Sequence, residues 1–88
     1  MTNLESATVG NKREIEVARE DYARALRSLA RSVASELEGF ETGRAPFTNS
    51  AGDSMCISEA RRVSEYSRKL IALGEEGRLL AYLAEEGS

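Results

Sequence analysis

The chain has 88 residues, with 12 Lys and Arg against 15 Asp and Glu, a net charge of −3, no His, no Trp and one Cys. That length admits one domain with a small core. A lone Cys excludes an internal disulfide, the lack of His argues against a tight zinc site, and the acidic balance argues against duplex nucleic acid as a partner.

Residues 1–10 are polar, contain Glu5 and end on Gly10, which reads as a flexible leader. They hold no cationic and apolar run of the kind that directs secretion, and no apolar segment reaches membrane-spanning length, so a cytoplasmic chain is expected. Asn11 with Glu14 three positions on has the form of a helix-capping box. From there Ile15, Ala18, Tyr22, Leu26, Leu29, Val33, Leu37 and Phe40 recur at steps of three and four. This spacing predicts a helix over 11–38, stopped by Gly39. Ala23, Ala25, Ala30 and Ala34 flank the stripe and would allow another helix to come close.

Residues 39–54 carry Gly43, Pro46, Asn49 and Gly52, and read as a connection. It is long for a helix–helix turn, which suggests a working loop. A second helix is expected over 55–73, capped by Asp53, Ser54 or Ser58, with a stripe of Cys56, Ala60, Val63, Tyr66, Leu70 and Leu73. Gly74 and Gly77 then interrupt the pattern, so 75–85 is expected to be either a kinked extension or a short third helix. The expected fold is thus all-α: an antiparallel helical hairpin over 11–88. A core this small favours assembly as a homo-oligomer.

Charge is unevenly distributed. No acid occurs between Tyr22 and Ser35, whereas Arg24, Arg27 and Arg31 follow one another at helical spacing. In the second helix Arg61, Arg62, Arg68 and Lys69 outnumber Glu59 and Glu65. Folding the hairpin about residue 48 would set residue i against roughly residue 96 − i, bringing Arg27 to Lys69, Arg24 to Arg68 and Arg31 to Glu65. Like charges at that distance need water, another subunit or an anion between them. A solvated face is the plainest reading; a bound phosphate group or an acidic partner surface are the others. Asn49 precedes the second helix, whose N-terminus and Arg61-Arg62 form a weaker anion candidate. Tyr22, in the apolar stripe, is a core residue by default, or a platform for a nucleobase beside Arg24 or Arg27. The ligand-binding candidates are therefore Tyr22, Arg24, Arg27, Arg31, Asn49, Arg61, Arg62, Arg68 and Lys69.

No catalytic set is legible. Without His no Ser-His-Asp or Cys-His arrangement can form, and the carboxylates show no EF-hand spacing. No enzyme, metal or cofactor is expected.

The Glu-x-Ala-Arg-x-x-Tyr-x-x-Ala-Leu helix from Glu16 to Leu26, followed by a Pro/Asn/Gly loop and a second helix, resembles the small bacteriophage helical-hairpin sponges that counter the CBASS and Thoeris defences. The likeness spans about residues 11–73. It implies a non-catalytic oligomer, often a hexamer, which sequesters cyclic oligonucleotide signals between its subunits. The rival expectation is a helical protein–protein inhibitor or adaptor.

Overall fold

A computed structural model describes residues 3–87, which form two helices and no strand. Helix α1 spans Asn3–Glu41 and α2 spans Met55–Glu86. They lie against each other as an extended rod of 65 × 21 × 15 Å. Its radius of gyration is 19.2 Å, whereas a compact chain of this length would have roughly 12 Å.

The segment 3–10 is not a leader but the first turns of α1; positions 1 and 2 lie outside the described residues. Thr8 Oγ1 donates to the Leu4 carbonyl at 2.9 Å. Leu4 and Thr8 are half-buried, which ties this stretch to the helix pair. Asn11 consequently sits inside the helix and cannot cap it. It is 5% exposed, and its Nδ2 donates to the Leu73 carbonyl of α2 at 2.9 Å.

Burial along α1 follows Leu4, Thr8, Asn11, Ile15, Ala18, Tyr22, Ala25, Leu29, Ser32 and Glu36. On α2 it follows Cys56, Glu59, Val63, Tyr66, Leu70, Leu73, Gly77 and Leu80. Both rows alternate steps of three and four, the period of a coiled-coil seam. The seam is thin: among the described residues the buried apolar side chains are Ala18, Ala25 and Leu73. Small residues on α1 allow the close approach, and polar ones punctuate it. Ser28 Oγ donates to Glu59 Oε2 at 2.6 Å.

Helix α1 passes through Gly39 and stops at Gly43, whose φ of 95° is open to glycine at little cost. Arg44 N–H donates to the Gly39 carbonyl at 2.8 Å and Gly43 N–H to Phe40 at 3.1 Å. This pairing is the Schellman stop, displaced by one turn from the glycine that the sequence offers first. Gly39 serves another purpose: a Cβ there would collide with the Arg44 guanidinium. The connection then turns back beside α1 instead of arching over its end. Phe47 N–H donates to Glu36 Oε1 at 3.0 Å, and Arg44 reaches Glu36 Oε2 at 3.6 Å and the Ser35 carbonyl at 3.2 Å. Ser54 caps α2, accepting from the Cys56 N–H at 3.1 Å.

Folding back moves the register. Asn11 stands opposite Leu73 and Gly77, and Ser28 opposite Glu59. Each α1 residue therefore meets a position roughly nine residues, about two and a half helical turns, nearer the N-terminus of α2 than a symmetric turn at residue 48 would give. The pairs expected from that turn, Arg27 with Lys69, Arg24 with Arg68 and Arg31 with Glu65, do not form. Helix α2 also continues without a break through Gly74 and Gly77, so there is no separate third helix. A Cβ at Gly77 would lie 2.7 Å from Asn11 Oδ1. The glycine that looks like a breaker admits the buried amide.

Candidate functional site

The seam divides the surface of the rod into two long sides. In an antiparallel pair, the positions flanking the seam on one helix face the equivalent positions of the other. One side carries Glu14, Asp21, Arg24, Ser28, Arg31 and Ser35 from α1, with Met55, Arg62, Glu65 and Lys69 from α2. The other carries Leu26, Ala30, Val33, Leu37 and Phe40 from α1, with Ile57, Ala60, Ser64, Ser67, Ile71 and Gly74 from α2. The first side is charged along its length; the second is apolar from Leu26 to Phe40 but carries exposed Lys12 and Arg19 in the same row nearer the N-terminus of α1.

The structure distributes most of the candidate ligand residues; it brings Arg61 and Arg68 together only in a hollow of about 400 Å³ that they share with Ile57, Ala60, Ser64 and Glu65. Arg24, Arg31, Arg62 and Lys69 share the charged side, while Arg27, Arg61 and Arg68 point outward from their helices, and all seven are exposed. Arg24 is paired with Asp21 at 3.2 Å in an exposed (i, i+3) contact, and Arg61 with Asp53 at 3.7 Å. Such exposed pairs hold their partners weakly. Tyr22 is half-buried in the seam, in keeping with a packing role. Asn49 is engaged locally: its Oδ1 accepts from Ala51 N–H at 2.9 Å and Asp53 N–H at 3.1 Å, which shapes the turn before α2. Lys69 borders a shallow hollow with Arg13, Glu14 and Val17, far along the rod from Arg27.

A concavity on the charged side lies at the loop end. It is a groove of about 300 Å³ lined by Arg31, Ser32, Ser35, Glu36, Phe47, Met55 and Cys56. That volume is at the small end of ligand pockets. Its electrostatics are decided by what Glu36 already does. This carboxylate accepts from the Phe47 N–H and faces Arg44, so its charge is spent within the loop. Arg44 in turn lies over the Phe47 ring, 3.9 Å from the centroid. Arg31 is left at the rim as a cation, with two hydroxyls beside it and an exposed aromatic edge opposite. Arg, Ser and an aromatic ring are a chemically apt set for a phosphate attached to a planar base. Only Arg31 of this set was legible as a site residue. Ser32 and Ser35 accompany Arg31 on α1, whereas Phe47 is brought to it by the loop folding back, which local sequence does not encode.

Among the described residues no cluster of His, Cys, Asp or Glu could hold a metal ion, and no helix is long and apolar enough to cross a membrane. Cys56 is a half-buried thiol facing the groove. Comparison with known proteins finds no matching family model, no matching curated protein and no matching solved structure.

Proposed function

We propose that the chain is a non-catalytic binding protein that sequesters an anionic, nucleotide-type ligand, with a cyclic oligonucleotide as the candidate class and counter-defence in a host cytoplasm as the setting. The observation that carries this reading is the groove in which Arg31 sits with Ser32, Ser35 and Phe47, while its acid, Glu36, is engaged by the Phe47 N–H and Arg44. Arg31 would pair with a phosphate through two N–H groups, the serines would donate to its remaining oxygens, and Phe47 would cover the base. Arg24, Arg27, Arg62 and Lys69 would raise the local anion concentration. In this reading the chain works as a homo-oligomer, whose subunit contacts would shield the bound ligand from water.

Thermal unfolding in the presence of cyclic di- and trinucleotides tests the proposal, because a ligand of the native state must raise the melting temperature. A shift that Arg31→Ala removes is the expected result. Melting unchanged by the whole panel at millimolar ligand rejects it.

A second reading is favoured by the exposed apolar stripe at the loop end of α1: a small helical inhibitor or adaptor that uses Val33, Leu37 and Phe40 on another protein. It predicts capture of one host protein that Leu37→Glu abolishes and Arg31→Ala leaves intact.

A further inference from the structure

We infer that the side of the hairpin carrying Leu26, Val33, Leu37 and Phe40 is covered by a second copy of this chain, giving a bundle of four helices. This names the surface for the self-association assumed in the proposed function, but it rests on observations that involve no ligand.

The first observation is a second stripe on α1. Leu26, Ala30, Val33, Leu37 and Phe40 repeat the alternating steps of the seam, yet α2 does not touch them as core. Leu26 is 40% exposed, Val33 47%, Leu37 56% and Phe40 62%. A helix with two such stripes has two neighbours to pack against, as in a bundle, whereas a hairpin supplies one.

The second is the matching stripe on α2. Ile57, Ala60, Ser64 and Ile71 keep the same spacing on the same side, and all are exposed. Ile57, Ala60 and Ser64 line one hollow, edged by Arg61, Glu65 and Arg68. Large apolar residues on one helix beside small ones on the other form the relief that a two-fold-related copy can interlock with.

The third is area. The chain exposes 6700 Å², whereas a compact monomer of 9.6 kDa exposes roughly 5100 Å². The surplus of about 1600 Å² exceeds the ~800 Å² that each partner gives to a stable dimer. The same surplus reflects a hairpin with no fully buried side chain among the described residues. A second copy is the one occupant present wherever the chain is made, in a proportion set by its concentration.

The test is native mass by analytical ultracentrifugation, with helicity followed by circular dichroism. The wild-type chain is expected to sediment at twice its 9.6 kDa mass or at a higher even multiple. Leu37→Glu is expected to halve that mass with helicity largely kept. Ala60→Arg, on the other helix, is expected to do the same and covers the case in which Leu37→Glu unfolds. Glu14→Arg, on the charged side and remote from this face, is expected to keep the wild-type mass. A well-folded wild-type monomer overturns the inference and hands the face to a different protein. Undiminished mass in both Leu37→Glu and Ala60→Arg overturns the choice of face. The nucleotide reading fails separately: an associated protein that ignores every nucleotide leaves this inference standing, and a monomer that binds one removes it.

Discussion

Asn11 and Leu73 are joined by a buried side-chain-to-backbone hydrogen bond of 2.9 Å that crosses between the two helices. A helical carbonyl has a second lone pair to offer, so the bond forms without breaking α2. It works only because Gly77, one turn on, leaves room for the amide: a Cβ there would lie 2.7 Å from Asn11 Oδ1. Gly77→Ala therefore gains helix propensity but displaces Asn11, and the displaced amide loses its partner. A net loss of about 1–2 kcal/mol is expected, since an unsatisfied buried polar group outweighs the ~1 kcal/mol propensity gain. In the Asn11→Ala background the same substitution should turn stabilising. Chemical denaturation of the four proteins gives the coupling; additive effects would show that the two residues do not share a site.

Gly74 separates propensity from packing. An added Cβ there meets nothing within 4 Å, and the residue is helical. Gly74→Ala is expected to stabilise by about 0.5–1 kcal/mol. Gly10→Ala carries the same expectation, for the same open space around a helical glycine. The second case also examines the N-terminus: if residues before Asn11 were unstructured, Gly10→Ala would leave the denaturation midpoint close to wild type.

The hairpin was legible from hydrophobic period, and its stripe up to Tyr22 coincides with the seam. Beyond Tyr22 the two part. The apolar period runs through Leu26, Val33, Leu37 and Phe40, while burial runs through Ala25, Ser32 and Glu36. Two stripes are superposed on one helix, and counting apolar residues finds the bulkier one. The tight seam prefers small residues, which carry little hydrophobic signal. On α2 the same effect nominates Ala60 where Glu59 is the half-buried residue, tied to Ser28. The cap at Asn11 and the break at Gly77 misled because the two meet across the seam, a contact distant in sequence. Gly39 is carried into the helix beside the Arg44 guanidinium, and Gly74 simply remains helical with open space around it. The groove at Arg31 was beyond reach because the path of the loop depends on Arg44 and Glu36 meeting across the turn.

Gly43 sets the stop of α1 with a φ of 95°, and nothing crowds it. Strain is then the main cost of adding a side chain. Gly43→Ala is expected to lose about 1–2 kcal/mol, the penalty of the left-handed region for an L-residue. Gly43→Asn should lose less, because Asn tolerates that region better. Thermal melts of the two variants check the order; equal losses would mean that the Schellman stop is not maintained in solution.

Ser28 and Glu59 make the other polar crossing of the seam, at 2.6 Å and partly buried. The acceptor is the carboxylate of a residue occupying a seam position, so removing the donor leaves an anion between two helices with less solvation than water gives it. Ser28→Ala is expected to cost about 1.5–3 kcal/mol, the range for a hydrogen bond to a charged group. Glu59→Leu removes the charge together with its need for a partner and adds apolar contact beside Leu29, so it should cost much less than Ser28→Ala or even stabilise. In the Glu59→Leu background, Ser28→Ala should then be nearly silent. Denaturant midpoints of the single and double variants decide the matter. A Ser28→Ala loss that persists undiminished beside Leu at position 59 would show that the serine acts through packing and not through the carboxylate.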